Sequence, residues 1–494
     1  MNNITWTTLI SLALSVIIIV GQRIRRRNAL RSSGGFQPLA QYRPFDVFVG
    51  LDFAISVNRD IPSLHRHHQR FGHSFQLNTL SSNPTILTIA PENIQAIHSR
   101  GEEWGIRPIR LAAMEPFCGR GFLTTDGDVW RHARRSLRPS FARSNLTDLS
   151  VISRETDKLF ESLPRNGETV DLQPLLYAIF LNTSLNFLLG MDSDADYQKP
   201  PCTTQEFVDA FHSALFMTMI RIVFGKIWRL LPKSRYRQAC RTSHDFLEYY
   251  IHLAITDLDN KQRGIAKSKT LVHNLVADSD DLHFVRSQVL QGMLASQETI
   301  SSLLGNTFFL LSRNQDYWQK IRAEVLGKGE EILRFEALHE NKLLRSVLFE
   351  SLNLVTLRLY PIFPVFGRMA LYDNSLPVGG GPNQDERVFV PKGTRVQVAY
   401  YALHRDPRVF GEDVETFRPE RWDTISPGQW EFMPFGGGMR GCLGREKSLV
   451  EAAFVLAKMA LRYKTLESRD AREWKGELKL TCQNANGCWL SVGA

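Results

Sequence analysis

A single cysteine, Cys442, lies in a glycine-rich loop near the C-terminus, and Arg440 precedes it by two residues. The amphipathic stretch at 445–463 predicts a helix that begins directly after this loop. Free backbone N–H groups and the positive dipole end at a helix N-terminus stabilise an anion. Glycines also allow a flat ligand to approach the backbone closely. The loop therefore predicts one thiolate; the alternative is an ordinary buried thiol.

A second chemical signal is the pair Trp130 and Arg134. Because they are four residues apart on a predicted helix, their side chains lie on one face. An indole N–H and a guanidinium group together could hold a carboxylate. The alternative is a basic surface helix with a half-buried tryptophan.

A third signal lies inside the long apolar pattern at 283–313, which predicts a helix. The polar run Ser296-Gln297-Glu298-Thr299 interrupts this pattern. A buried acid and a buried hydroxyl cost free energy unless they have partners. We therefore expect Glu298 and Thr299 to have a chemical role inside the protein; the alternative is a polar stripe that faces solvent.

The elements that would position these residues are mostly helical. From about residue 127 to 350, apolar residues recur at helical spacing, whereas about 359–402 reads as short strands and turns. We predict a mainly α fold with a small β portion, in a single large domain. The individual predictions are a helix at 61–71, strands within 75–90, a helix at 91–100, a turn at 376–382 and a strand end at 387–391.

The N-terminus predicts a membrane anchor. Residues 4–20 are almost wholly apolar or hydroxyl-bearing, about the minimum to cross a bilayer, and an arginine cluster at 23–31 follows. By the positive-inside rule the body of the protein then lies in the cytosol. A cleaved signal peptide would need basic residues before the apolar run and a small-residue site after it, and neither is present. We predict an anchor at 1–21, a basic flexible linker at 22–45 and a catalytic domain at 46–494.

Composition narrows the classes of protein. The chain of 494 residues is 43% hydrophobic and 22% charged, which is ordinary for a globular enzyme. Its six cysteines include no C-x-x-C pair, so they indicate neither a zinc site nor a disulfide scaffold. The net charge of +9 suits an anionic membrane or an acidic partner, or reflects solvated surface charges. No nucleic-acid-binding motif accompanies that charge.

The segment Phe435 to Gly444 reads F-x-x-G-x-R-x-C-x-G and resembles the haem-ligand signature of the cytochrome P450 family. The resemblance implies that Cys442 is the axial thiolate ligand of haem b iron, that Phe435 packs on the haem, and that the N–H groups of Leu443 and Gly444 donate to the sulfur. It also assigns haem-propionate contacts to Trp130, Arg134, Arg368 and Arg440.

The same resemblance compares the run at 295–300 with a family segment that crosses above the iron. Thr299 and Glu298 would then relay protons toward bound dioxygen. Two residues depart from the pattern, since Ser296 replaces a glycine and Glu298 replaces an aspartate.

A departure also affects the structural triad of the family, which here comprises Glu350, Arg358 and Arg421. Read literally, residues 353–357 are an insertion between Glu350 and its arginine. On a continuous helix the two would lie about 12 Å apart, so they pair only if the helix bulges or breaks. Three explanations are open: a wrong splice boundary in the gene model, a tolerated bulge, or a crippled enzyme.

The stretches 121–143, 376–405 and 415–462 are similar to the fungal branch that hydroxylates n-alkanes and fatty acids and contributes to secondary-metabolite pathways. The resemblance implies an endoplasmic-reticulum monooxygenase that uses dioxygen, a lipophilic substrate and electrons from NADPH-cytochrome P450 reductase.

A basic docking face for the reductase would comprise Arg131, Arg135, Arg138, Arg445 and Lys447. The pocket would be lined by 105–122, 364–366, Leu294 and Ile300. The alternatives are a haem-thiolate isomerase or dehydratase, and a catalytically dead haem or lipid binder.

Overall fold

The computed structural model describes residues 18, 21, 25, 35–42, 50–78, 83–164, 167–191, 200–224, 233–262, 270–351, 358–478 and 481–493. Its α-helices, in chain order, are α1 Leu51–Arg59, α2 Ser63–Phe71, α3 Pro91–Ser99, α4 Arg107–Cys118, α5 Gly127–Leu137, α6 Ser150–Ser162, α7 Leu172–Leu189, α8 Thr204–Phe224, α9 Ser234–Gln262, α10 Leu271–Asp278, α11 Leu282–Leu311, α12 Gln315–Lys328, α13 Phe335–Glu340, α14 Lys342–Ser351, α15 Tyr400–Leu403, α16 Pro407–Phe410, α17 Arg421–Thr424 and α18 Arg445–Arg462.

The strands are short and fewer than the helices among the described residues. In chain order they are β1 Ala40–Gln41, β2 Ser74–Leu77, β3 Thr85–Thr88, β4 Trp104–Gly105, β5 Val170–Asp171, β6 Phe366–Ala370, β7 Asn374–Gly380, β8 Glu386–Val390, β9 Arg395–Val398, β10 Thr465–Ser468, β11 Gly476–Leu478, β12 Cys482–Asn484 and β13 Trp489–Gly493. The fold is therefore mainly α with a small β portion, as predicted. Helices α2, α3, α11 and α18 begin and end within two residues of their predicted bounds.

The chain divides into two compact units, a division that the sequence did not predict. The first unit comprises Met1–Gly105, Val365–Leu403 and Gly428–Phe432. It holds a six-stranded sheet in the order β1-β2-β3-β9-β6-β4. In this sheet β3 pairs in parallel with β9, and β9 pairs antiparallel with β6. Arg368, a predicted site residue, lies on β6.

One prediction in this unit is wrong. Residues 376–382 were expected to form a turn, but Leu376 to Gly380 belong to β7, which pairs with β8. The register shifts between Leu376 and Gly380, and Gly379 has a φ of 115°. A bulge with a left-handed glycine accommodates the turn-forming residues within a strand.

The second unit comprises Ile106–Pro364, His404–Pro427 and Met433–Ala494. Its core surrounds α11, in which Leu303, Leu304 and Phe308 are fully buried. Burying one side chain of this size stabilises a fold by about 1.5–3 kcal/mol. The same hydrophobic cluster includes Val455 and Leu456 of α18. The helix that carries Glu298 and the helix that follows Cys442 therefore pack into the same hydrophobic core.

Apart from residues 18, 21, 25 and 35–42, the predicted anchor at 1–21 and the linker at 22–45 lie outside the described residues. Among those that are described, α7 is long and apolar enough to cross a membrane, and half of it is buried within the protein. Seven of its side chains belong to two hydrophobic core clusters: Leu172, Leu176, Ile179, Phe180, Leu185, Leu188 and Leu189. Core packing accounts for the apolar character of α7.

Candidate active site

The cysteine loop folds back on itself through backbone hydrogen bonds. The N–H of Cys442 donates to the carbonyl of Phe435 at 2.9 Å, and the N–H of Gly441 donates to Gly438 at 3.1 Å. Gly436 and Gly438 have φ values of 67° and 64°, which glycine adopts without steric cost. The glycines therefore set the path that returns Cys442 to the start of α18.

Burial raises the pKa of the Cys442 thiol above its usual value. A hydrogen bond from the Gly444 N–H and the charges of Arg134 and Arg445 oppose this shift without reversing it. The Gly444 N–H and the two guanidinium groups favour the thiolate form, as the sequence predicts, whereas burial opposes it. A coordinated metal ion would remove the thiol proton outright.

Two arginines surround Trp130 beside this loop. The guanidinium carbon of Arg440 lies 4.3 Å from the Trp130 ring centroid, and that of Arg134 lies 5.8 Å from it. Arg134 donates to the Gly441 carbonyl at 2.7 Å, and Arg440 forms an ion pair with Asp126 at 2.6 Å. Trp130 is 8% exposed, which excludes the interpretation as a half-buried surface residue. The structure thus brings three predicted propionate contacts together beside Cys442.

The side chains of the loop face apolar surroundings. Phe435 is buried in the core cluster that also contacts Cys442, whereas Leu443 packs against a second cluster. The guanidinium carbon of Arg445 lies 5.5 Å from the Phe435 ring centroid. Arg368 belongs to the first unit, where it is buried, donates weakly to Gly367 and lies against Phe366.

Glu298 and Thr299 are both buried in α11, so the interpretation as a solvent-facing stripe is wrong. Thr481 donates its hydroxyl proton to the Glu298 carboxylate at 3.1 Å. The Thr299 hydroxyl donates to the carbonyls of Ala295 and Ser296, at 2.9 and 3.2 Å. The acid and the alcohol are therefore adjacent, and each has a hydrogen-bonding partner in the structure.

Sequence reasoning missed a polar chain beside this pair. The Gln297 amide donates to the Tyr177 hydroxyl at 2.9 Å, and that hydroxyl also hydrogen-bonds the His212 ring. Burial, and secondly the charge of Glu298, raises the pKa of Tyr177. Tyr177 lies on α7 and His212 on α8, far from α11 in sequence. No local pattern could have indicated that they meet Gln297.

The structure also joins the three triad residues. The Glu350 carboxylate accepts from Arg358 Nε at 2.9 Å and from Arg421 Nε at 2.9 Å. All three side chains are fully buried. Asp413 also pairs with Arg421 at 3.0 Å and with Arg418 at 3.0 Å. The predicted insertion at 353–357 lies outside the described residues.

The predicted docking face needs one correction. Arg131, Arg135, Arg138 and Arg445 are exposed. Lys447 instead is buried and donates to Glu451 at 2.6 Å. This i,i+4 pair holds the Lys447 ammonium group against its own helix. Lys447 is therefore unsuited to contact a partner protein.

The donor set fits a haem group. Cys442 offers a soft sulfur ligand, and Phe435 offers an apolar surface next to it. Arg134 and Arg440 carry two positive charges beside the loop, and Arg440 pairs with the Asp126 carboxylate. A macrocycle with an iron centre, an apolar face and anionic propionates matches these three properties.

Comparison with known proteins gives the class. The cytochrome P450 family model matches residues 45–485. The chain belongs to the cytochrome P450 family, whose members bind haem through a cysteine thiolate. It is accordingly a monooxygenase, which needs dioxygen, a substrate and a redox-partner reductase.

Its relatives are fungal monooxygenases. The chain is 32% identical to cytochrome P450 monooxygenase FPY7 of Fusarium mangiferae, over 99% of this chain and 96% of that protein. It is 34% identical to cytochrome P450 monooxygenase himC of Aspergillus japonicus, over 92% and 83%. It is 33% identical to cytochrome P450 52A12 of Debaryomyces hansenii, over 79% and 78%. The predicted family is therefore confirmed.

Proposed function

We propose that this chain hydroxylates a lipophilic small molecule with Cys442 as the axial ligand of haem b. The observation that carries the proposal is the cysteine loop, where the partly buried Cys442, the Gly444 N–H and the Trp130–Arg134–Arg440 cluster lie together. When bound, haem supplies the dioxygen chemistry that no amino-acid side chain provides.

The protein's own residues have three tasks in this proposal. Arg134 and Arg440 bind the haem carboxylates through charge-assisted hydrogen bonds. Phe435 shields the sulfur from water, and the Gly444 N–H tunes its basicity. Glu298 and Thr299 hold and move protons at a carboxylate oxygen and a hydroxyl, respectively. The hydrogen bond from Thr481 orients the Glu298 carboxylate for this transfer.

The substrate is a lipophilic compound of fungal fatty-acid, alkane or secondary metabolism. Support comes from the sequence similarity to fungal monooxygenases and from the apolar side chains of Leu294 and Ile300 on α11. Electrons come from NADPH-cytochrome P450 reductase, which docks at the basic residues Arg131, Arg135, Arg138 and Arg445. The apolar run at 4–20 and the arginines after it support a single-pass anchor in the endoplasmic reticulum, with the catalytic domain in the cytosol.

The test uses the full chain in membranes together with NADPH-cytochrome P450 reductase. Fatty acids, n-alkanes, terpenoids and polyketides are supplied one class at a time. We expect one class to raise NADPH consumption and to yield a product that has gained one oxygen atom. Conversion without NADPH would contradict hydroxylation and favour an isomerase, and no NADPH consumption with any class would favour a haem binder.

A further inference from the structure

The carboxylate of Asp126 joins three segments of the second unit. It accepts hydrogen bonds from the backbone N–H of Ile106, at 3.1 and 3.0 Å, and of Arg107, at 2.8 Å. It also accepts from Arg440 Nη2 at 2.6 Å. The start of α4, the start of α5 and the cysteine loop therefore meet at one side chain.

Asp126 occupies the N-cap position of α5, but its side chain does not cap that helix. An aspartate at this position normally accepts from the N–H groups of its own first turn. Here the carboxylate instead satisfies the first N–H groups of α4, whose own N-cap residue, Ile106, has no capping side chain. The usual local role of an N-cap aspartate is absent at this position.

The hydrogen bond to Arg440 is the second unusual feature. The side chains of Asp126 and Arg440 are 12% and 14% exposed, so solvent screens this pair less than a surface pair. Arg440 also donates to the Thr125 carbonyl at 2.9 Å and lies over the Trp130 ring. Among these three contacts of Arg440, the Asp126 carboxylate carries the negative charge, and it holds one edge of the Arg440 guanidinium group in place.

We propose that Asp126 is a positioning residue that holds Arg440 in place for haem binding. The inference rests on the proposed function, because Arg440 lies two residues before Cys442 and is a proposed propionate contact. Asp126 acts through Arg440 and does not itself touch the haem. It also ties the cysteine loop to α4, which belongs to the segment proposed to line the substrate pocket.

The competing explanation is that Asp126 only caps α4. In that case its loss would loosen the first turn of α4 and lower the stability of the fold. The cysteine loop and the bound haem would be unaffected. The two explanations differ in what happens around Arg440, and the experiment measures that region directly.

The test compares Asp126→Asn with Asp128→Asn in the haem-loaded full chain. Asp128 lies two residues further on, and its carboxylate pairs at 2.6 Å with Arg131 on the surface, so it is a matched control. Three quantities are measured: the rate of haem transfer to an excess of an acceptor protein, the fraction of thiolate-type carbon-monoxide spectrum, and amide hydrogen exchange at 436–442.

We expect Asp126→Asn to lose haem about tenfold faster, equivalent to about 1.4 kcal/mol, with faster exchange in the cysteine loop and a smaller thiolate fraction. Asp128→Asn is expected to match the wild type in all three. Asp126→Ser is the second variant if Asp126→Asn does not fold, because its hydroxyl keeps an acceptor near α4 and lacks the charge. It should show the same acceleration of haem loss.

The inference would be overturned if the Asp126 variants lost haem at the wild-type rate and amide hydrogen exchange rose only at 106–107. Asp126 would then act only as a cap of α4. A wild-type protein without a thiolate-type spectrum would instead overturn the proposed haem site, and this inference with it. The wild-type spectrum therefore separates the two failures.

Discussion

Glu350 and Arg358 form a fully buried ion pair although eight residues separate them, with Nε and Oε2 2.9 Å apart. The same carboxylate also accepts from Arg421 Nε at 2.9 Å and from the Trp422 indole at 3.1 Å. An insertion that kept Glu350 from its arginine would leave buried charges unpaired, which is costly. In the structure the full-length chain satisfies these groups.

Removing the negative charge of Glu350 should strongly destabilise the second unit. Glu350→Gln leaves two buried guanidinium groups with reduced compensation, and breaking a buried pair costs about 3–5 kcal/mol. Glu331→Gln is the control, because its pair with Arg334 is about two-thirds exposed on both sides and is expected to contribute less than about 1 kcal/mol. Chemical denaturation measures both. Equal losses in the two variants would contradict the structural role of the triad.

The insertion itself can be tested by deleting residues 353–357. Glu350 is paired with Arg358 and Arg421 in the full chain. We therefore expect the undeleted chain to bind haem and to give a thiolate-type spectrum. The comparison is a reduced carbon-monoxide difference spectrum of both forms in membranes. A thiolate band from the shortened form alone would mean that the 494-residue chain is a mis-spliced or inactive form.

The cysteine loop and the long helix could be predicted because their information is local. The fixed spacing around Cys442 and the apolar period of α11 require no knowledge of the fold. The partners of these residues were not predictable in the same way. Thr481 meets Glu298 across 183 residues, and Arg440 meets Asp126 across 314.

One local prediction failed for a physical reason that the sequence does not display. The proline and glycines at 376–382 suggested a turn, but pairing with β8 keeps Leu376 to Gly380 in a bulged strand. Tertiary packing therefore overrode a local signal in this segment.

Loss of the Thr299 hydroxyl should separate haem binding from productive chemistry. Thr299→Ala is expected to retain haem, because among the described residues the hydroxyl bonds to the carbonyls of Ala295 and Ser296 in its own helix. We expect peroxide release per NADPH to rise severalfold. Thr307→Ala is the control, since its hydroxyl makes the same type of bond two turns later, to Leu303 at 2.9 Å. Unchanged coupling in Thr299→Ala would remove Thr299 from proton delivery.

The first unit should lose stability in acid because of His68. Burial lowers the pKa of this imidazole to about 3, and its Nδ1 hydrogen-bonds the Gly72 carbonyl at 3.0 Å. The unfolded chain takes up a proton at this imidazole near pH 6.5, whereas the folded chain does so only near pH 3. The free energy of unfolding therefore keeps its full value above about pH 6.5 and falls as the pH is lowered from about 6.5 toward 3. The slope contributed is at most about 1.4 kcal/mol per pH unit.

Thermal unfolding between pH 4 and pH 8 measures this dependence. His68→Gln should flatten it relative to the wild type, whereas His252→Gln should not, because His252 is exposed on α9. An unchanged pH dependence in His68→Gln would show that other groups control acid unfolding.

The most direct test is the reduced carbon-monoxide difference spectrum of the full chain, with Cys442→Ala and Cys118→Ala measured beside it. Cys118 is another free cysteine, and it is buried, so it controls for loss of a thiol as such. We predict a thiolate-type Soret band from the wild type and from Cys118→Ala, and none from Cys442→Ala. A thiolate band that survives in Cys442→Ala would contradict the assignment of Cys442 as the haem ligand.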